Sequence, residues 1–572
     1  MLIRIDDLAE QNADPFDVCI IGAGAAGLSL ARSLDPRLFR ICVLESGRKD
    51  PSSEAQSLNE ADCLGLDYDL AESRCRALGG TLHSWQGTIA PLDPIDFEPR
   101  EWIPHSGWPV SAGEMRESYS HAYKVLGMEE VAARFENIGP DRRSEIERFG
   151  VSSEVFRPKP FIMLKQHLEG LCRRLRNDVV RRSNVTCVTD ATVVEIVPSE
   201  DHESVVSFAR ARSLRGDVEK RVFAKRFVIC TGGLEAPRLL LASRRRHSQG
   251  LGNERDVVGR YFMDHPRLRS SVQPLPEARS APILRHVALG KYGGKAGLVV
   301  TDKLQRERRL GNYNIFLTNV SVDLERQAAK ALSLQDRPSP NARDSQQTKK
   351  SARIRAMQAL RRAWRTMPVK MRVEIESALS RSAFRNLAVV LKMEQAPNPD
   401  SRILLSDQND RLGMPRLVLD WRLSEEDMRM LRDFQTVLQD ALSASGLAAD
   451  EINFHDSDSG MVFQDSSHPM GGTRMADSPQ SGVVDRDLRV FGFANLYVSS
   501  SSVFPTAGNA NPTLTIIALS CRLAKSLNAE AERRLAARTS KADLQSISRA
   551  AGNDDRGAPI NSEPGDTVRS PA

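Results

Sequence analysis

The eight cysteines of this chain, at positions 19, 42, 63, 75, 172, 187, 230 and 521, show no Cys-x-x-Cys spacing. Structural zinc, iron–sulfur clusters and a disulfide framework are disfavoured on that ground. The sequence has no apolar run long enough to span a bilayer. Its start, Met1 to Asp14, is rich in acidic and amide side chains where a secretory signal needs a basic end and an apolar stretch. A reducing cytoplasm is therefore the expected compartment. A strong charge imbalance is also missing: a net charge of +6 over 572 residues gives no reason to expect a nucleic-acid partner.

Core material is present in ordinary amounts, with 40% hydrophobic and 27% charged residues, as in soluble globular proteins. The length exceeds what one core usually serves, so two interleaved or successive domains are expected. Basic charge does concentrate between Lys349 and Arg372, where no acidic residue intervenes. Ile354, Met357, Leu360, Trp364 and Met367 recur there at three- and four-residue steps, predicting an amphipathic basic helix. Two readings compete for it: a solvated surface helix, or a peripheral contact to an anionic membrane or acidic glycan. A polar, proline-bearing insertion from Asp336 to Ser345 precedes it.

The apolar run Phe16 to Ile21 leads directly into Gly22-Ala23-Gly24-Ala25-Ala26-Gly27, a helical stretch from Leu28 to Leu34, and a second strand, Ile41 to Leu44, that ends at Glu45. Strand, glycine turn, helix, strand and an acid at roughly a 20-residue offset make up the dinucleotide-binding fingerprint in its required context. Gly22 permits the tight turn, Gly24 lets the backbone approach a pyrophosphate, and Gly27 lets helix and strand pack. The phosphates are expected at the helix N-terminus. Glu45 is placed for a ribose hydroxyl, and no arginine follows it until Arg48, which disfavours NADP. The fingerprint alone does not choose between NAD and FAD. A second glycine turn, Gly79-Gly80-Thr81, could bring backbone N–H groups against the same ligand.

Short β-type runs at Val185 to Val188, Thr192 to Val197, Ser204 to Ala209 and Arg221 to Phe223 are read as an antiparallel excursion. It returns through Phe227 to Cys230 and the Thr231-Gly232-Gly233 turn to the nucleotide-binding sheet. Near the C-terminus stand Ser467-His468-Pro469-Met470-Gly471-Gly472 and, later, Asn511-Pro512-Thr513, which opens a helical stretch from Thr513 to Leu527. A histidine in a glycine-rich turn could take a proton, and an asparagine could hold a substrate oxygen. The competing reading of Asn511 is a helix cap.

Taken together, Gly22 to Gly27 with Glu45, Gly79-Gly80-Thr81, Val258-Gly259-Arg260 to Asp264-His265-Pro266, the His468 motif and Asn511-Pro512-Thr513 resemble the glucose-methanol-choline (GMC) oxidoreductase family from about residue 15 to 530. Within it the chain is most similar to the bacterial sugar- and glycan-oxidising branch related to pyranose oxidases. The resemblance implies an α/β chain with a Rossmann-type FAD-binding domain and a substrate domain built on an antiparallel sheet covered by helices. The FAD domain is expected over 15–266 and 466–532, the substrate domain over 267–465 with parts of 85–180, and a disordered tail over 533–572. It implies FAD contacts from Gly22, Gly24, Ala25, Ala26, Gly27, Glu45, Ser46, Gly79, Gly80, Thr81, Val193, Thr231, Gly232, Ser502, Asn511, Pro512 and Thr513. It also implies oxidation of a CH–OH group, with His468 as the catalytic base and Asn511 as its partner.

Ser84 stands where some relatives link flavin to histidine, so noncovalent FAD is expected. Ser500 stands where many relatives carry an aspartate. His265 is read as ordering the domain junction, and His455 as lining either the pocket or the surface. Glu394 and Gln395 are weaker pocket candidates, and Trp85, Trp102 and Trp108 are candidates for sugar stacking, against core packing. The electron acceptor, whether oxygen, a quinone or a protein, is left open. Two rival readings are a flavin hydroxylase or NAD(P)H-dependent flavoprotein, disfavoured by the lack of a second intact glycine fingerprint, and a non-enzymatic flavin-binding adaptor. The adaptor does not account for His468 and Asn511 together.

Overall fold

The computed structural model describes residues 1–9, 14–129, 152–164, 168–272, 287–289, 292–319, 387–445, 451–452, 454–456 and 460–551. The insertion at 336–345 and the basic stretch 349–372 lie outside them. Among the described residues no helix is long and apolar enough to cross a membrane.

Six strands form a parallel sheet in the order Leu2–Arg4, Val185–Thr189, Ile41–Leu44, Val18–Ile21, Phe227–Ile229 and Leu496–Val498. The central strands are apolar throughout because both faces are covered, as parallel sheets require; every residue of Val18–Ile21 and Ile41–Leu44 is buried. Helices Ala25–Ser33 and Thr513–Ala551 pack against each other beside it. The sequence spacing placed Val185 to Val188 in the antiparallel excursion, but this strand pairs in parallel with Ile41–Leu44. A short, mostly apolar run such as Val185-Thr186-Cys187-Val188 does not distinguish a buried parallel strand from one that starts a hairpin. The excursion itself is the three-stranded antiparallel sheet of Thr192–Pro198, Val206–Arg212 and Glu219–Phe223. Within the expected disordered tail, the helix that opens at Thr513 continues past residue 533 to Ala551, and 552–572 lie outside the described residues. Alanine, arginine and leucine supply eleven of the nineteen residues from Arg533 to Ala551, and these are good helix formers.

A seven-stranded sheet runs Arg267–Val272, Leu387–Lys392, Asn314–Asn319, Tyr292–Val300, Phe156–Met163 and Thr88–Ile89, with Val287–Leu289 paired to Tyr292–Val300. All its pairings are antiparallel. Helix Glu425–Ala444 covers one face, laying Met430, Leu431, Phe434, Leu438 and Leu442 against Phe156, Leu298, Ile315, Val389 and Leu391. Those helix positions repeat at three- and four-residue steps, which makes a single apolar stripe. Ser424 and Asp427 form a capping box at its start, and Asp427 Oδ1 also accepts from Ala396 N at 2.7 Å. The cap thereby fixes the turn that follows strand Leu387–Lys392. The helix ends at Ala444, with Ser445 at its C-cap. Strands Arg402–Asn409 and Pro415–Trp421 pair with each other in antiparallel register, and Pro415–Trp421 pairs in parallel with Ala61–Gly65 to form a separate three-stranded sheet.

Candidate active site

Four segments converge between the two large sheets. Met263 and Met470 exchange backbone hydrogen bonds at 2.9 and 2.8 Å, joining the Asp264-His265-Pro266 turn to the His468 loop. The two flanking strands Arg267–Val272 and Leu387–Lys392 pair in antiparallel register, with Arg267 opposite Lys392. The stretch from Gly508 to Asn511 then enters helix Thr513–Ala551.

Asp264 and His265 are fully buried. The Asp264 carboxylate accepts from His468 N at 3.1 Å and from His265 N at 2.5 Å, so one side chain holds both histidine backbones. His265 Nε2 lies 2.9 Å from the Gly508 carbonyl oxygen, which can only accept. His265 therefore carries its proton on Nε2 when neutral, and its Nδ1 is an acceptor. That nitrogen is 3.0 Å from His468 Nδ1, which must then donate. The consequence is that His468 Nε2 presents a lone pair. It faces Asn511 Nδ2, a donor, at 3.1 Å, while Asn511 Oδ1 accepts from Lys392 Nζ at 2.8 Å. Every donor in this chain meets an acceptor, and a flip of the Asn511 amide would break two contacts at once.

Electrostatics favour the neutral imidazole. Burial, reinforced by the charge of Lys392 and by His265 and Arg267, holds His468 well below the ordinary histidine range. His265 is lowered for the same leading reason, burial, with Lys392 next. Burial pushes Lys392 down to about 7 and Asp264 up to about 7.

The structure brings His468 and Asn511 together, as the sequence implied. It also shows that Asn511 is more than a cap: both ends of its amide are engaged by His468 and Lys392. His265 belongs to this network and does more than order a junction. Glu394 does not face an open pocket; it is buried and saturated by Arg100, at 2.6 and 2.8 Å, and by the backbone N–H groups of Asn312 and Gly508. Gln395 accepts from Trp421 Nε1 and from Asp264 N. Trp108 is buried with its N–H on Thr506, and Trp102 donates to the Leu310 carbonyl, so both serve packing. Trp85 packs against the main core cluster. His455 lies in a short strand paired with Met461.

The fingerprint residues form a cradle suited to a dinucleotide. Gly79 N donates to Ala23 O at 2.9 Å, and a Cβ on Gly80 would fall 2.8 Å from the Gly24 Cα. The two glycine loops touch backbone to backbone, an approach that side chains would prevent. Helix Ala25–Ser33 starts at Gly24 and helix Gly232–Ala242 at Thr231, neither with a side-chain cap. Their first N–H groups remain available for an anion. The Thr231 hydroxyl is buried without a partner, a vacancy that a ligand's polar group suits. Glu45 is buried between Ala23 N and Gly47 N, at 2.9 and 2.8 Å, and burial raises it to about 7. Ser46 meets Thr192, next to the buried Val193. Ser502, expected at the cofactor, has its hydroxyl in a buried network with Thr473 and Ser500. A Cβ on Gly233 would sit 2.1 Å from the Pro469 carbonyl, so the Thr231 helix abuts the His468 loop directly.

A dinucleotide cradle abutting a half-buried neutral histidine is the arrangement of a nucleotide-dependent oxidoreductase. Residues 17–262 match the protein-family model described as FAD dependent oxidoreductase, and residues 397–520 match that described as GMC oxidoreductase. The chain is an FAD-dependent oxidoreductase whose C-terminal part resembles the GMC oxidoreductase family. It is 24% identical to paromamine 6'-oxidase of Streptomyces fradiae, over 90% of this chain and 91% of that one. It is 27% identical to the fructose dehydrogenase large subunit of Gluconobacter japonicus, over 54% of this chain and 48% of that one. Its fold is similar to that of pyridoxine 4-oxidase from Mesorbium loti, with a TM-score of 0.50 at 16% identity, covering 89% of this chain and 98% of that one.

Proposed function

We propose that this enzyme oxidises a CH–OH group of a sugar, glycoside or related polyol to a carbonyl, with His468 as general base and Asn511 as the group that orients the substrate oxygen. The observation that carries the reading is the fixed tautomer chain ending in the lone pair on His468 Nε2, 3.1 Å from the Asn511 amide. An alcohol is too weak an acid to release its proton unaided at neutral pH, and a positioned imidazole typically contributes ~10²- to 10⁴-fold. Asn511 can bond the same oxygen without titrating. When His468 takes the proton, the new cation keeps its Nδ1–H bond to His265, while Nε2 ceases to accept from Asn511 Nδ2, which is then free to donate to the substrate oxygen. The sugar preference is supported by the names of two relatives, one acting on paromamine and one on fructose.

The FAD would be held by Gly22, Gly24, Ala25, Ala26, Gly27, Glu45, Ser46, Gly79, Gly80, Thr81, Val193, Thr231, Gly232, Ser502, Asn511, Pro512 and Thr513. Bound FAD supplies the two-electron acceptor for the substrate carbon. We read 15–266 with 466–532 as the FAD domain and the seven-stranded sheet as the base of the substrate domain. The eight cysteines are free thiols, which suits the cytoplasm.

Two expectations follow for the purified enzyme. The first concerns attachment: the His83 ring is engaged by the Leu78 carbonyl at 3.1 Å and Ser84 follows it, so acid precipitation is expected to release the yellow cofactor. Colour retained in the pellet would refute noncovalent binding. The second concerns pH. A base whose pKa is lowered stays unprotonated further into acid, so the acid limb of substrate-driven flavin reduction is expected well below pH 6.5. An acid limb at or above the ordinary histidine value would contradict the site as described.

The reading itself is tested by anaerobic mixing of the oxidised enzyme with sugars and alcohols. Flavin reduction by such substrates, coupled to carbonyl formation, is expected; reduction by NADPH alone would overturn it.

A further inference from the structure

We propose that Lys392 is a positioning residue for this reaction: its ammonium group locks the Asn511 amide with Nδ2 toward His468, and its charge keeps His468 in the unprotonated form. This rests on the reading of His468 as the base.

Three observations carry it. Lys392 is the last residue of strand Leu387–Lys392, whose other residues are all apolar, and it is itself buried. A lysine in such a place is rare unless it is paired or has a task. Among the described residues no carboxylate lies within ion-pair distance of it. The neighbouring buried Lys159, by contrast, is matched by Asp93 at 3.0 Å. Instead, Lys392 donates to Asn511 Oδ1 at 2.8 Å. An ammonium can only donate, so it selects one of the two amide orientations outright. That orientation is the one that presents Nδ2 to the His468 lone pair.

The charge acts in the same direction. Around His468 stand Lys392 from strand Leu387–Lys392, Arg267 from strand Arg267–Val272, and Asp264 with His265 from the turn before it. Lys159 bears on His265 and Lys392, and Asp465 on Asp264. Of these, Lys392 is the leading charge that opposes protonation of His468. Burial brings Lys392 down to about 7, so its charge is present on the acid side of neutrality, where His468 would otherwise protonate. A buried cation with no direct ion pair is unfavourable for stability even with Asp264 nearby, and its use here is to the site.

The test uses the FAD-loaded enzyme labelled with ¹⁵N-histidine, in the wild type and in Lys392→Met and Lys392→Arg, with His468 signals assigned by their loss in His468→Gln. In wild type, the His468 ring is expected as the Nδ1–H tautomer with a midpoint well below the usual ~6.5. Lys392→Met should raise that midpoint and move the acid limb of flavin reduction with it. Lys392→Arg should restore both. An unchanged His468 midpoint in Lys392→Met, with full FAD content, would overturn the proposal, as would Lys392→Arg behaving like Lys392→Met. A shifted midpoint in an enzyme whose reduction by alcohols ignores His468→Gln would leave Lys392 standing and sink the base assignment instead.

Discussion

Replacing His468 with alanine is expected to leave FAD bound and slow flavin reduction by substrate by ~10²- to 10⁴-fold, the usual worth of a positioned base. That corresponds to about 2.7–5.5 kcal/mol of transition-state stabilisation. His468 Nε2 is the lone pair on which the chain of fixed donors converges, because the Gly508 carbonyl commits His265 and His265 commits His468. Cofactor retention is expected because the cradle from Gly22 to Gly27 and the Gly79-Gly80 loop does not depend on this ring. Anaerobic stopped-flow mixing reads the rate, and absorbance after gel filtration reads the flavin content. Near-normal reduction in the variant would remove His468 from the base role.

The second large effect falls on stability. Arg100 and Glu394 form a fully buried pair at 2.6 Å, and Arg100→Ala would leave the carboxylate without its partner. Breaking a buried pair from one side typically costs ~3–5 kcal/mol, so a marked fall in the urea or thermal midpoint is expected. The double variant Arg100→Met with Glu394→Met should cost less, because no charge is stranded. The same pair reaches the site. Glu394 accepts from Gly508 N at 3.2 Å, and the Gly508 carbonyl is the group that fixes the His265 tautomer. The double variant is therefore expected to recover stability more fully than activity. A single variant as stable as wild type would show that this pair does not anchor the core beneath the site.

What the sequence made legible were the features carried by local spacing. The glycine fingerprint with Glu45, the strand and helix around it, and the His468 and Asn511 motifs each lie within a few neighbouring residues. Their backbone roles follow from turn and cap geometry. What it hid depends on pairing across long separations. His265 meets His468 across 203 residues, and Lys392 meets Asn511 across 119. A lysine reads as a surface residue unless its strand is known to be buried on both faces. The one available signal was its place at the end of the apolar run from Leu387 to Leu391. Glu394 was misread for the same reason: its partner Arg100 lies 294 residues away, so a charge that completes the core looked like one that lines a pocket. The helix extending to Ala551 was hidden differently, by polarity that suggests disorder when helix propensity is ignored.

The account turns on an alcohol donating its electrons at a site where His468 removes the proton. The most direct measurement is anaerobic reduction of the bound FAD by a panel of sugars, glycosides and simple alcohols, run side by side in wild type and His468→Ala. The account predicts rapid bleaching of the wild-type flavin by at least one CH–OH donor, with one carbonyl product per flavin, and bleaching slowed by ~10²-fold or more in the variant. Bleaching by NADPH with none by any alcohol, or equal rates in the two proteins, would contradict it.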